Sequence, residues 1–510
     1  SATGRKRTIG ILGLLALAAL GMFSKENAAV LCGLMVLWDL CFGMKDRREL
    51  PARLPYYAAA IAPLIAFAIL RRQIFSGYYL FDTNILDNPL LDLGFVQSRF
   101  MAIRVIGQYL WLLAFPLWLS SDRSYNQIPL DRMGDPMAWL SLVVVLGLMG
   151  VAIARYRRDR LLFWCAGLFG IALFPTSNLP MLIGTIAAER FLYMPGIAFA
   201  IAITALAFRW QPESRAAAVL GIVALLFTAR TIARNPAWDS DFAIAEADVQ
   251  SAPDSFRMHT LYGEVLYAQN PRANLDHAIR EQETAWRILS GMPPAKTFTV
   301  TPASLGMLYG LKGDLAGGLS TAGGRSLYES SLTTLRAAAE ASAVQQKQHD
   351  EREARRGNPA PMLIQYGAIN FYLGQAYMRL GRFDEGIAYY RRGIARAPED
   401  PAAYDALAQA LFNRGDHDGA ALAVLEKALV LGLHPDAVAN VRAVYEKLPD
   451  GACAVRNVNG INYLDSTCPR LGRDLCKATA ELEQFFRDGR KFAKAEEWRK
   501  DAVERYGCRR

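Results

Sequence analysis

Histidine is scarce, with five in 510 residues. His259, His277, His349, His417 and His434 all fall in the second half, and no two lie close enough in sequence to suggest a metal or catalytic cluster. That half also has no phosphate-cradling glycine loop, no HExxH and no serine elbow, which removes the commonest nucleotide, zinc-protease and serine-hydrolase signatures. Zinc-ligand spacing is missing among the seven cysteines. Basic excess is missing from the second half as well. Residues 236–510 hold 35 acidic and 34 basic side chains, leaving 23 basic and 13 acidic among the first 235. The positive charge therefore sits beside apolar segments, where it sets membrane topology and argues against a nucleic-acid partner.

Long apolar runs are what the first half does have. Eight can be marked: Ile9–Phe23, Asn27–Phe42, Tyr56–Leu70, Phe100–Leu119, Met137–Ala154, Leu161–Pro175, Phe191–Phe208 and Ala216–Ala229. Crossing about 30 Å of hydrocarbon takes ~20 residues, and several runs are shorter, so any one alone could be a buried soluble helix. Eight in succession, apolar all round, rich in Gly and Ala and joined by short loops, predict a polytopic bundle over 1–235. Ser1 is not an initiator Met, and Arg5-Lys6-Arg7 before an apolar run has the outline of a signal peptide. Ser24-Lys25-Glu26-Asn27 follows without a small-residue cleavage pattern. The reading is a later helix of a longer protein, with a signal anchor as the alternative.

Charge predicts orientation. Arg5-Lys6-Arg7, Lys45-Asp46-Arg47-Arg48 and the run from Arg155 to Arg160 belong on the cytoplasmic side. The loop 73–97, with Asp82, Asp87 and Asp92 and no Lys or Arg, belongs outside. Counting from the run at 155–160 puts 176–190 outside and delivers the second half outside. Counting from the N-terminus makes both 73–97 and 119–136 external, although Phe100–Leu119 lies between them. With Arg99 and Arg104 near one end, that stretch is either a span or a re-entrant or interfacial segment.

From 236 to 510 the pattern changes to paired amphipathic helices. Leu373-Gly374, Tyr377, Gly381, Tyr390 and Pro398 fit the 34-residue tetratricopeptide spacing. The next 34 residues repeat it more loosely with Tyr404, Leu407, Gly415, Ala420 and Pro435. Leu305-Gly306 with Tyr309 and Gly313 marks another first helix, and partial matches occur at Tyr262-Gly263 and over Gly489, Ala495, Trp498 and Ala502. A lone repeat cannot bury its apolar face, so an array is expected. The fold class is therefore all-α: a transmembrane helix bundle followed by a tetratricopeptide-repeat α-solenoid. The charged stretch 346–361 reads as a solvated helix extension or loop, and 451–470 as a small looped insertion.

Cys32, Cys41 and Cys165 lie in apolar runs as packing residues. Cys453, Cys468, Cys476 and Cys508 cluster near the end of the second half. An even number outside the cytoplasm predicts disulfides. Cys476 opens and Cys508 closes the last helical hairpin, which pairs them and leaves Cys453 with Cys468. Four free thiols in a cytoplasmic domain is the competing reading.

Any chemistry is thus expected in the outer loops of the first half. Ser24-Lys25-Glu26-Asn27 sits between two apolar runs, and the run from Pro175 to Pro180 leads to Ala188-Glu189-Arg190-Phe191-Leu192-Tyr193-Met194-Pro195. Ionisable groups at a membrane boundary are functional candidates; snorkelling cations, or Lys25–Glu26 and Glu189–Arg190 charge balance, are the structural alternatives.

Together, FSKEN at 23–27, DNP at 87–89, LSSDRSYNQIPL at 119–130, PTSNLP at 175–180 and AERFLYMP at 188–195 occur in the order found in one family. The chain resembles the transmembrane and tetratricopeptide-repeat-containing proteins related to protein O-mannosyltransferases, and their bacterial relatives. The resemblance implies a GT-C-like glycosyltransferase that takes a sugar from a polyprenyl-phosphate carrier, with or without a divalent metal, and places it on a protein. It implies an integral membrane protein, of a bacterial inner membrane, with the repeats on the periplasmic or extracellular side. It also implies a catalytic acidic pair in a first external loop, which nothing here matches. Asp122 is the nearest visible acid, although not one assigned as the base. Lys25 and Arg190 become candidates for the lipid phosphate, since fixed positive charge there meets the leaving group, with Glu189 and Tyr193 placed to orient Arg190 and Glu26 beside Lys25. The partners implied are membrane lipid and a polypeptide in the repeat superhelix. The rival expectations are a non-enzymatic membrane-anchored scaffold for envelope assembly, and a lipid-linked-sugar transporter or polymerase.

Overall fold

The computed structural model describes residues 4–44, 46–74, 84–128, 133–355, 357, 368–458, 461–465 and 467–508. Lys45, Asp82, Pro129, Leu130 and most of 356–367 lie outside them, so those parts of the basic, acidic, serine–aspartate and charged segments carry no structural statement. The described residues fall into two compact units, Ser1–Val265 and Leu266–Arg510.

The first unit holds α1 (Gly4–Ser24), α2 (Val30–Trp38), α3 (Leu50–Ile74), α4 (Phe95–Ala114), α5 (Pro136–Arg155), α6 (Arg160–Leu173), α7 (Tyr193–Trp210), α8 (Glu213–Arg234) and α9 (Asp241–Ser251). Among the described residues, six helical segments are long and apolar enough to cross a membrane: Gly4–Ser24, Glu26–Gly43, Leu50–Ile74, Pro136–Arg155, Glu189–Trp210 and Glu213–Trp238; Arg160–Thr176 is apolar but shorter. Their large side chains face outward, Leu17, Val143 and Leu225 among them, as expected where the solvent is lipid rather than water.

Phe100–Leu119 is not among those segments, because its helix is less apolar than theirs. Helix α4 stops at Ala114. Phe100 packs against Trp139 with the rings tilted, Arg104 pairs with Asp135 at 2.5 Å, and a Cβ on Gly107 would collide with Ser141. Helix α4 thus packs on α5 from its first turns, and Leu142 and Val145 continue the contact along α5. Arg99 near one end of α4 donates to the Leu179 carbonyl, and Tyr109 further along accepts from the Ala188 amide. Both parts of the helix sit among the same polar loops. Counting α4 as an interfacial helix removes the topological conflict, because 84–94 and 115–128 then share one side.

The opposite end of the bundle gathers the basic segments. Arg7 reaches the Ala52 carbonyl, Arg53 pairs with Asp39, Tyr156 donates to the Leu40 carbonyl, and Arg209 pairs with Asp159. One end is rich in arginine; the other carries the polar loops.

The second unit follows α10 (Phe256–Gln269), which carries the chain across the unit boundary. It contains α11 (Leu275–Ile288), α12 (Val300–Leu315), α13 (Ala322–Arg355), α14 (Ala368–Arg379), α15 (Phe383–Arg396), α16 (Pro401–Arg414), α17 (His417–Val430) and α18 (Pro435–Tyr445). A two-stranded hairpin, β1 (Val455–Val458) and β2 (Ile461–Leu464), precedes α19 (Pro469–Asp488) and α20 (Phe492–Glu504). The repeat motif is read directly in the packing. A Cβ on Gly374 would lie 2.5 Å from the Tyr390 ring, so only glycine lets α14 sit this close to α15. Helices α14 to α17 form two successive antiparallel pairs around Ile394, Tyr404, Leu407 and Leu425. Helix α13 extends the charged stretch as a continuous helix to Arg355.

Two features depart from a simple stack. The 451–470 segment is a hairpin with Val455 opposite Leu464, closed by the Cys453–Cys468 disulfide. The last helices do not simply extend the row: α19 packs across the second helices of both preceding pairs, α15 and α17, while Cys476–Cys508 ties its start to the end of α20.

Within this core Glu426 of α17 is 1% exposed. Burial first, and then the neighbouring Glu481, push its carboxyl well above the ordinary range, against the weaker pull of Arg391 and Lys477. An acid raised on folding releases its proton more easily when unfolded. The stability it permits is complete below the ordinary carboxyl range and is lost as pH rises towards the folded value. Glu426→Gln is therefore expected to raise the urea midpoint of the repeat unit at neutral pH by about 1–3 kcal/mol in free-energy terms, with little change at pH 4. Equal midpoints at both pH values for the parent protein would contradict this.

Candidate functional site

The polar-loop end of the first unit is assembled around three elements: the segment 84–94, the segment 115–128 and the run 174–192. Asn88, fully buried, donates to the Asn178 side-chain oxygen at 2.8 Å and to the Ile183 carbonyl. Asn178 in turn donates to the carbonyls of Thr185 and Ile186 and holds a left-handed backbone (φ 59°), which asparagine tolerates better than most residues. The DNP and PTSNLP motifs are thus two halves of one buried amide network. Its neighbours Leu86, Leu90, Tyr109 and Ile186 are almost wholly inaccessible.

The serine–aspartate loop is a junction. Ser121 donates to Asp248 of α9 from its backbone N at 2.6 Å and from its hydroxyl at 2.5 Å, and Arg234 at the end of α8 pairs with the same carboxylate at 2.5 Å. Asp122 accepts from the hydroxyls of Ser124 and Ser255, both at 2.7 Å. Arg257, in the first turn of α10, contacts Asp87 at 2.5 Å and Asp122 at 3.7 Å. Burial raises the Asp87 carboxyl above its usual range, and Asp122 adds to this while Arg257 opposes it. Arg230 secures the loop from the other side through the Pro116 and Leu117 carbonyls.

Each sequence-predicted residue has a definite place. Lys25 and Glu26 are exposed at the 3₁₀ turn that opens the second apolar segment. Arg190 is exposed and lies over the Phe191 ring. Tyr193 is 79% exposed at the start of α7. Glu189 accepts from the Ser120 amide and pairs with Arg123 at 2.7 Å, so its carboxylate serves the loop rather than Arg190. Asp122 is engaged by two hydroxyls and an arginine. Among the described residues no group of three His, Cys, Asp or Glu side chains is placed to hold a metal ion.

The residues that sequence reasoning missed are the junction's long-range partners: Asp87, Arg123, Arg234, Asp248 and Arg257. Their partners lie up to 170 positions away, and no local spacing announces such a pair. What could have drawn attention is the charge itself. Asp248 and Arg257 flank the first break between helices after the last span, where a freely tethered domain needs no buried ion pair.

Comparison with known proteins bears on both halves. A family model described as Tetratricopeptide repeat matches residues 372–452. Protein O-mannosyl-transferase TMTC1 of Mus musculus is 28% identical over 197 residues, which is 36% of this chain and 21% of the relative. Protein O-mannosyl-transferase F38B6.6 of Caenorhabditis elegans is 27% identical over 219 residues, 41% of this chain and 31% of the relative. Protein O-mannosyl-transferase TMTC4 of Homo sapiens is 27% identical over 166 residues, with shares of 31% and 22%. The matched stretches span under a third of these relatives' length. With its apolar helices and its repeats, the chain is an integral membrane protein carrying tetratricopeptide repeats and a distant homologue of these protein O-mannosyl-transferases.

Proposed function

We infer that the chain is the membrane-and-repeat part of a glycosyltransferase that moves a sugar from a polyprenyl-phosphate carrier to a protein acceptor. The polar-loop end faces the outside and the arginine-rich end the cytoplasm. The observation that carries this reading is the junction. Asp248 and Arg257 fasten α9 and the start of α10, the lead-in to the repeats, onto the loops that bear the family-like motifs.

In such a transfer the acceptor hydroxyl oxygen bonds to the sugar's anomeric carbon as the bond from that carbon to the phosphate oxygen breaks, and the hydroxyl proton passes to the released polyprenyl phosphate. Negative charge grows on the departing polyprenyl phosphate. Lys25 and Arg190, at the polar-loop ends of their helical segments, supply the compensating positive charge. A charge-assisted hydrogen bond contributes about 1.5–3 kcal/mol, so Lys25→Ala and Arg190→Ala in the full-length protein are each expected to slow transfer from a polyprenyl-phosphate sugar roughly tenfold or more. Undiminished transfer in both variants removes these residues from the mechanism. One observation favours the alternative of a non-enzymatic scaffold: Asp87, Asp122 and Glu189 are each occupied by an arginine. Absence of any transfer by the intact full-length protein would support that second reading.

A further inference from the structure

A second feature lies at the other end of the bundle. Helix α3 and the packed pair α2 and α6 line a cleft of about 360 Å³. Its walls change character along their length. By position along the helices, Leu31, Leu34 and Leu168 stand farthest from the arginine-rich end, Trp38, Tyr56 and Trp164 come next, and Asp39, Arg53 and Tyr57 form the rim at that end. The Trp38 and Trp164 rings meet edge to face with centroids 6.2 Å apart, yet Trp38 stays 53% exposed.

The mouth is built, not incidental. After Trp38 the helix continues as one π-type turn, Asp39–Gly43, a local widening found often at functional sites. The turn brings Asp39, 6% exposed, against Arg53 at 3.2 Å and under the Tyr57 hydroxyl at 2.7 Å. Two arginines from different helices then cap the turn's carbonyls: Arg53 donates to Gly43 at 2.7 Å and Arg160 to Cys41 at 3.2 Å. Both guanidinium groups are thereby held at the level of the basic loops, where exposed Arg48 and Arg157 add to the positive field.

Charge at the rim, aromatic rings below it and aliphatic side chains beneath is the polarity profile of a phospholipid lying along the bilayer normal. We propose that this cleft is a binding site for an anionic phospholipid of the arginine-side leaflet, with one acyl chain between α3 and the packed pair α2 and α6, and the phosphate at Arg53, with Arg160 beyond the lining as a second positive charge at the rim. The occupant is a phospholipid and not the sugar carrier, because the cleft opens at the end opposite Lys25 and Arg190. The site stands independently of the transfer reaction.

Brominated acyl chains quench tryptophan on contact, which makes Trp38 and Trp164 the reporters. The purified chain is placed in phosphatidylcholine vesicles doped with either brominated phosphatidylglycerol or brominated phosphatidylcholine. The signal of these two among nine tryptophans is isolated by subtracting a Trp38→Phe/Trp164→Phe variant. Phosphatidylglycerol is expected to reach half-quenching at a mole fraction roughly fivefold lower per arginine engaged. Arg53→Gln/Arg160→Gln should abolish that preference. Because Arg53→Gln leaves Asp39 without its cation, Leu34→Trp provides a second route: it fills the cleft, leaves every charge in place, and should remove the preference equally. Equal quenching by the two lipids in the parent chain overturns the proposal, as does a preference that survives Leu34→Trp.

Discussion

Replacing Asp248 by alanine is expected to destabilise the first unit by about 3–5 kcal/mol, the usual result of leaving a buried charge without its partner. Asp248 is fully buried and joins three parts of the chain: Arg234 at the end of the last span, Ser120 and Ser121 in the loop after α4, and its own helix α9. Without the carboxylate, Arg234 keeps its charge at 12% side-chain exposure and the Ser121 amide loses its acceptor. Asp248→Asn retains much of the hydrogen bonding and loses only the charge, so a smaller loss is expected from it. Denaturation in mixed micelles measures both. Limited proteolysis locates the effect, with cleavage expected first between 235 and 256. An alanine variant as stable and as protease-resistant as the parent would mean that the junction is not holding α9 in place.

Loss of the Cys476–Cys508 bond ranks second. Its sequence separation of 32 residues gives a loop-closure contribution of roughly 3–4 kcal/mol. The bond also holds the end of α20 against α19, where Trp498 and Ala495 lie under Phe486 and its neighbours. Cys476→Ser/Cys508→Ser should lower the unfolding free energy of the repeat unit by that amount in urea, whereas removing the shorter bridge between Cys453 and Cys468 should cost less. Alkylation of the denatured chain without reductant should label Cys32, Cys41 and Cys165 and spare the other four. Labelling of all four in 453–508 would argue against an oxidising compartment for this unit, and with it against the proposed orientation.

Much of the architecture was legible because its physics is periodic. A succession of apolar runs, and the repeat spacing of the paired helices, are written locally: Gly374 already stood at its place in the 34-residue spacing, and the structure sets it against Tyr390. Helix α4 was harder. It matches its neighbours in length but is less apolar, with Gln97, Arg99, Arg104 and Gln108 along it, and those residues hinted that it lies among polar loops. The hairpin at 455–464 was passed over although Asn459-Gly460, a pair that hairpin turns favour, separates two stretches of valine, isoleucine, leucine and tyrosine. The junction was illegible for another reason. Arg257 finds Asp87 and Asp122 only once the chain has folded, and the motif SSDR drew attention to Asp122 as a chemical group when its surroundings make it an anchor.

The crossing of α19 over α15 and α17 changes how the repeat unit should come apart. An open row of repeats frays from its ends, each pair unzipping with only its neighbour's consent. Here a strap fastened late in the chain binds pairs laid down some ninety residues earlier, and Lys491 and Arg490 extend that fastening to Glu399 and Asp350. The terminal pairs therefore cannot peel away singly, and the unit should melt in a single sharp step, behaving less like a stack of coins than like a bound book.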